Sequence, residues 1–224
     1  MTMPGAHVSR PPVPAPAAAP PGCWLHGLPG IQSHQRSLLV WPDLLGAAGA
    51  AWVGSLLFTG TRLLSLGAPL PVPARRAPQP VRLAVWGGPG AEAPPQGVWT
   101  QTPDRPCWER MTGLWTAAGL TPLPPSARSA ADWRHAGRGQ GTELAGCASA
   151  QQLMAPLGAT GARRLVCSVV SDPARRRTGV ARACVRAVAG GAGAAALLEP
   201  GSGSDRFFAA LEWTPVGDAY FYHH

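Results

Sequence analysis

The residues best suited to chemistry lie in one run, Arg163 to Gly191, RRLVCSVVSDPARRRTGVARACVRAVAGG. Leu165–Val170 is a short apolar run rich in β-branched residues and predicts a buried strand. Asp172-Pro173 ends it, because proline cannot donate to a ladder and turns its predecessor away from helix. Arg175, Arg176 and Arg177 follow, then Thr178 and Gly179. Beyond Gly179 the period becomes helical. Val180, Cys184 and Val188 share an apolar face with Ala181 and Val185 beside them, while Arg182 and Arg186 fall on another. Gly190-Gly191 stops the helix. The first N–H groups of a helix have no partner inside it and carry partial positive charge. A strand entering a basic, glycine-bearing turn that opens a helix is therefore an anion cradle. Gly179 and Ala181 are small enough to let a diphosphate reach the backbone, and Arg176 and its neighbours add fork-shaped donors for phosphate oxygens.

The elements that must position this run are read from pattern. Val81–Trp86 alternates and predicts a first strand. A helix is expected from about Pro106 to Ala118, capped near Asp104, with Trp108, Met111, Leu114, Trp115 and Ala118 on its inner face. A shorter helix is expected after Ser126, including Trp133. Arg138–Gly141 (RGQG) reads as a hairpin turn. Glu143–Gln152 reads as a third strand, Leu165–Val170 as a fourth and Ala194–Leu198 as a fifth. Ser204–Glu212 predicts a helix with Phe207, Phe208 and Leu211 inside, and Val216–Tyr222 a closing strand.

Upstream the composition changes. Residues 1–35 are Pro/Ala-rich without period and predict a disordered extension; their apolar residues are broken by prolines with no basic start, unlike a signal peptide. Residues 36–68 form an apolar, helical segment. Within it Leu44–Thr61 has no Arg, Lys or Glu and carries no charge, near the length of about 20 apolar residues that a bilayer core needs. A membrane or interfacial anchor, a helix packed on the catalytic domain, and translated sequence upstream of the true start compete; the small residues favour the packed helix. Residues 69–80, PLPVPARRAPQP from Pro69, read as a proline-rich linker. The remainder, 81–224, is then a single domain.

Arg176-x-x-Gly179-x-Ala181 resembles the Arg/Gln-x-x-Gly-x-Gly/Ala signature of the GNAT superfamily of acyl-CoA-dependent N-acyltransferases. Pro173 also looks like that family, and FFAALEWTPVGDAYFY is similar to its closing aromatic helix and final strand. The resemblance implies an α/β (α+β) fold, a mixed and mostly antiparallel central sheet with splayed fourth and fifth strands and flanking helices. It implies acetyl-CoA or another acyl-CoA as co-substrate, with no metal. Carried onto this chain, the pantetheine arm pairs with Val169, Val170 and Ser171. The pyrophosphate sits on amides from Arg177 through Thr178, Gly179, Val180 and Ala181 to Arg182, with Arg176 alongside. A primary amine, on a small molecule or a protein, attacks the thioester directly.

The family's usual acid, a tyrosine in the closing helix, falls on Phe208. Glu212 stands where a glycine is usual, Gly201 where an asparagine is frequent, and Ser171 where an aliphatic is usual. Tyr220 is then the substitute proton donor, with Tyr222 beside it, and Glu199 at the end of the fifth strand the base, ahead of Glu143. A catalytically weak CoA-binding module and a membrane-tethered enzyme like the Camello-type N-acetyltransferases are the alternatives. The monomer or homodimer is expected in the cytoplasm.

Composition limits these readings. All 19 basic residues are arginine, there is no asparagine and Ile31 is the one isoleucine, a bias that a GC-rich genome produces without selection. The net charge of +8 is therefore less informative than its distribution. Seven arginines lie between Arg163 and Arg186 with Asp172 as the one acid, which suits a polyanionic cofactor. Nucleic acid is not expected, since no recognised module appears and aromatics do not interleave with the basic run. The five cysteines lack metal or Cys-x-x-Cys spacing and read as reduced and buried. His7, His26 and His34 are scattered and give no metal pattern.

Overall fold

In a computed structural model, residues 30–35, 37–56, 61–70, 78–86, 94–157, 160–190, 193–198 and 203–222 are described. The strands in chain order are β1 (Ile31–His34), β2 (Ser37–Val40), β3 (Arg62–Leu66), β4 (Gln79–Trp86), β5 (Val98–Trp99), β6 (Trp133–Arg138), β7 (Gly146–Leu157), β8 (Ala162–Ser171), β9 (Ala194–Leu198) and β10 (Thr214–Tyr222). The α-helices are α1 (Ala47–Leu56), α2 (Arg105–Ala117), α3 (Val180–Ala189) and α4 (Ser204–Ala209). All ten strands form one sheet in the order β1-β2-β3-β10-β4-β9-β8-β7-β6-β5. Its neighbours are antiparallel except β2 with β3 and β8 with β9.

From β1 to β7 that order reads the same from either end. β2-α1-β3 is a parallel pair joined through a helix, and so is β8-α3-β9. Each pair accepts a strand from the other unit: β10 lies against β3, β4 lies against β9, and β10 and β4 pair with each other. The chain thus holds two like units about an approximate twofold through the β10/β4 ladder, and β6 and β5 extend the second only. Register places Tyr220 and Tyr222 on the same face as Ala84 and Trp86, so α1 and α3 cover one face. Trp108, Met111, Leu114 and Trp115 of α2 pack on the opposite face against Cys147 and Val170.

The elements of residues 94–222 follow local pattern closely. Asp104 caps α2 by accepting from the Cys107 amide at 2.8 Å. The expected inner face of α2 is buried apart from Ala118, which lies past the helix end. Two details differ. The expected second helix is a single 3-10 turn, Pro125–Arg128, and Trp133 opens β6 instead.

The upstream boundaries need correction. Ile31–His34 is strand, not part of a disordered extension. In 36–68 the helix is ten residues long and is flanked by β2 and β3. Among the described residues no helix is long and apolar enough to cross a membrane. Residues 69–80 do not separate domains, because β1–β3 before them and β4 onward share one sheet, and Gln79 and Pro80 already belong to β4. Residues 71–77 lie outside the described residues. VRLAVW, expected as a first strand, is the fourth in chain order and lies inside the sheet between β10 and β9.

Candidate active site

The site begins where β8 and β9 part. They pair only at Arg164, Leu165 and Val166, opposite Ala194, Ala195 and Ala196. Beyond that point β9 stays with β4, Leu197 against Leu83 and Leu198 against Arg82. From Cys167 onward the edge of β8 facing β9 has no strand partner among the described residues, so backbone groups there are open to a ligand.

A bulge in β8 accompanies the parting. Cys147 pairs with Val170 but Ser149 with Cys167, so β8 spends one more residue than β7 over that interval. Ser168 absorbs it in the left-handed region, at φ 52. Such a bulge bends its strand and strengthens the local twist. Its conformation is held by neighbours: Trp115 Nε1 donates to the Ser168 carbonyl at 2.8 Å, and Gln35 Nε2 donates to Ser168 Oγ at 3.3 Å. The result is a cleft of about 560 Å³, walled by residues 166–171 of β8, by Ala181 at the start of α3 and by Phe207 and Phe208 of α4. That volume falls within the range of small-molecule sites, about 300–1,000 Å³.

The basic bend lies next to it. Asp172 accepts from the Ala174 amide at 2.9 Å and opens a 3-10 turn over Pro173–Arg175. Arg177 at φ 65 and Gly179 at φ 80 then redirect the chain into α3. Ala183 N–H is the first to bond within the helix, to the Gly179 carbonyl, which leaves the amides of Val180, Ala181 and Arg182 without an intrahelical acceptor. A Cβ built at Gly179 would meet nothing within 4 Å, so space lies beside the bend, while the positive φ is what requires glycine. Arg175, Arg176 and Arg177 are exposed and make no ion pair among the described residues; Asp172 is taken by Arg110 at 2.5 Å.

Of the residues expected in the site, Val169, Val170, Ser171 and Ala181 line the cleft. Arg176, Arg177, Thr178 and Gly179 occupy the exposed bend, and Val180 turns into the core. Thr178 Oγ1 donates to the Arg175 carbonyl at 2.6 Å, and Arg182 Nη2 donates to the Ala210 carbonyl at 3.1 Å, linking α3 to the end of α4. Glu199 lies outside the described residues, as does Gly201. Tyr220 is misplaced by the sequence reading. It pairs with Ser65 and Pro80 and packs in the cluster beside α1, whereas Phe221 lines the cleft, because adjacent residues of a strand face opposite ways. Tyr222 shares the Tyr220 face and its hydroxyl accepts from the Leu70 amide at 2.7 Å. Phe208 does stand in the cleft, buried against Trp213 with ring centroids 4.8 Å apart, and has no proton to give. Cys167 also lines it, and burial pushes its thiol up to about 12; the same cause raises Cys184 to about 12. Neither supplies thiolate at neutral pH.

Thr121, Ser168 and Ser204 also line the cleft without having been expected there, and upstream four further polar lining residues were missed: His34, Gln35, Ser37 and Arg62. These four come from the segments read as disordered and as an apolar helix. His34 is 5% exposed and stacks on Trp133, centroids 5.9 Å apart. Its Nδ1 lies 2.7 Å from Gln151 Oε1. The Gln151 amide is fixed, since its Nε2 donates to the Ser33 carbonyl at 2.7 Å and to Asp132 Oδ2 at 2.9 Å. Nδ1 of His34 must therefore donate, and Nε2 keeps its lone pair. Burial lowers the His34 pKa to about 4, against a smaller opposing effect of Gln151, so the ring is neutral at pH 7. No signal local to IQSHQRSLLV points at a site 130 residues downstream; only the sheet order brings His34 there.

The architecture, with its parted strands and strand-bend-helix, is the GNAT N-acyltransferase fold. An acetyltransferase assigned to the GNAT family from Novosphingobium aromaticivorans DSM 12444 superposes with a TM-score of 0.60 at 19% identity, over 86% of this chain and 87% of that one. A GCN5-related N-acetyltransferase from Kribbella flavida gives 0.50 at 15% identity, over 87% and 86%. What is shared at such identities is the fold. No family profile matches the sequence, and no curated protein matches it.

Proposed function

We propose that the protein is an acyl-CoA-dependent N-acyltransferase that moves an acyl group, acetyl in the simplest case, from the thioester to a primary amine by direct attack. The observation that carries this reading is the coincidence of the open β8 edge, the cleft and the basic bend at the start of α3, whose three arginines make no ion pair among the described residues. Extended pantetheine pairs with free backbone groups of Val169–Ser171. The diphosphate takes the unpartnered amides of Val180–Arg182 and the guanidinium groups of Arg175–Arg177, where charge-assisted bonds are strong. Placement of two substrates in one cleft supplies much of the rate. The raised Cys167 thiol favours direct attack over an acyl-enzyme.

Phe208 favours a second reading, a module that binds CoA and turns over slowly, because no described side chain at that place protonates the leaving thiolate. Two measurements separate them. Acetyl-CoA should raise the melting temperature under either reading, and thiol release with an amine panel should appear only under the first. No thermal shift at millimolar acetyl-CoA sinks both.

A further inference from the structure

The acceptor half of the cleft has a polar row built across three strands. His34 of β1 is in register with Ser37 of β2, and Ser37 with Arg62 of β3. The three share the face of Leu39, Leu64 and Phe221, and all three line the cleft. Neighbouring strands lie about 4.8 Å apart, so His34 and Arg62 stand roughly 10 Å apart at the backbone, on one face and lining one cleft. Arg62 makes no ion pair among the described residues, and no Asp or Glu is among the described residues of the cleft wall. A cationic acceptor such as a polyamine would meet a guanidinium there and, among the described residues, no counter-charge. An acceptor that brings its own anion would relieve it.

We propose that the acceptor is a small primary amine that also bears a carboxylate, as an amino acid does, with Arg62 holding the carboxylate and His34 Nε2 receiving a proton from the amine. The proposal rests on the acyl-transfer reading of the cleft. The chemistry balances without a further reactant. The ammonium first loses one proton to solvent. The neutral nitrogen attacks the thioester carbon, and that nitrogen becomes far more acidic as the C–N bond forms. A neutral imidazole of weak basicity is suited to take this second proton. The C–S bond breaks, and the thiolate leaves to be protonated to CoASH, the proton on His34 balancing it. The fixed Gln151 amide, backed by Asp132, keeps the His34 lone pair on the side away from Gln151.

The test uses the full chain, acetyl-CoA and matched amines: free amino acids, the corresponding amino acid amides, and spermidine. Wild type should turn over the free acids with kcat/KM at least about tenfold above their amides. Arg62→Gln should raise KM for the acids by about 10–100-fold, leave the acetyl-CoA thermal shift unchanged, and erase the acid-over-amide preference; Arg62→Lys should restore part of it. His34→Gln should lower kcat by about 100-fold, the scale of general-base loss, with little change in KM. Preference for amides or spermidine, or an Arg62→Gln effect equal on all amines, overturns the proposal. An acetyl-CoA shift with no amine turned over overturns it while leaving the cofactor site standing; absence of the shift removes both.

Discussion

The two like units of the chain make opposite use of one topology. In the first, β2 and β3 pair at four positions, Ser37–Val40 against Arg62–Ser65, and the turn between strand and helix, WPDLLG, carries no arginine. In the second, β8 and β9 pair at three positions although β8 is ten residues long, and the turn DPARRRTG carries three arginines. Both turns begin with a 3-10 turn whose first residue is proline, Pro42 or Pro173, and both have a glycine just before or near the helix start, Gly46 or Gly179. The topology of a parallel strand-turn-helix-strand does not by itself bring the open edge and the basic bend on which the proposed phosphate cradle depends. What distinguishes the second unit is the bulge at Ser168 that frees an edge, and the uncompensated charge beside it. The first unit has kept a different office, supplying His34 and Arg62 to the cleft of the second.

The comparison can be broken most severely by separating the units. A chain begun at residue 79 strips β3 from β10 and uncovers Ala219 and Tyr222, which are buried. It should lose cooperative melting, and a monomeric fragment with a sharp transition would falsify the shared sheet. Acid attacks the same seam. Folding holds His34 at about 4 against 6.5, so the unfolded chain binds a proton between those values that the folded chain refuses. Stability must fall as pH drops from about 6.5 toward 4, by about 3 kcal/mol in all from this group at about 1.4 kcal/mol per pKa unit. His135, also lowered by burial, adds with the same sign. The groups around His34 that could blunt the effect are Asp132, reached through Gln151, and Arg62 across the cleft. Denaturant midpoints at pH 7 and 4.5, in wild type and His34→Gln, measure the share of His34 as the loss that the variant no longer shows.

Next in size is the cradle. Arg176→Ala with Gly179→Asp should abolish stabilisation by acetyl-CoA, which at a hundred times its dissociation constant amounts to about 2.7 kcal/mol. Ser168→Val should cost about 1–3 kcal/mol, since a β-branched side chain is poorly accommodated at positive φ, and should weaken acetyl-CoA binding if the bulge opens the edge. Smallest of all, Gly46→Asp in the first unit should leave the acetyl-CoA shift unchanged. A Cβ there meets nothing within 4 Å, and aspartate tolerates a position preceding a helix. A lost shift would mean that the first turn binds the cofactor too.

How much could be read beforehand divides along the same line. The second unit was legible because its signals are local: β-branched residues in Leu165–Val170, the bend, and the 3.6 period of Val180–Val188. Fold class, strand parting and the lining role of Val169–Ser171 followed from that run and its resemblance. The first unit was opaque for physical reasons. Its strands β1 and β2 have four residues each, too few for alternation to stand out, and α1 (AAGAAWVGSL) mixes small residues on all sides. Facing was also hidden. The register shift between Pro215 and Gly217 makes the phase of β10 depend on a partner strand remote in sequence, so Tyr220 and Phe221 could not be told apart. Sheet order is a long-range property, and His34 reaches the cleft only through it.

One consequence concerns synthesis. β10 sits between β3 and β4, both of which leave the ribosome long before it. The nascent chain must carry an unfilled slot in the middle of its sheet, with β3 and β4 kept from zipping onto each other, until β10 emerges. Closure of the central ladder therefore waits on the last of its strands, a long-range pairing that leaves the edges of β3 and β4 open to wrong partners in the meantime.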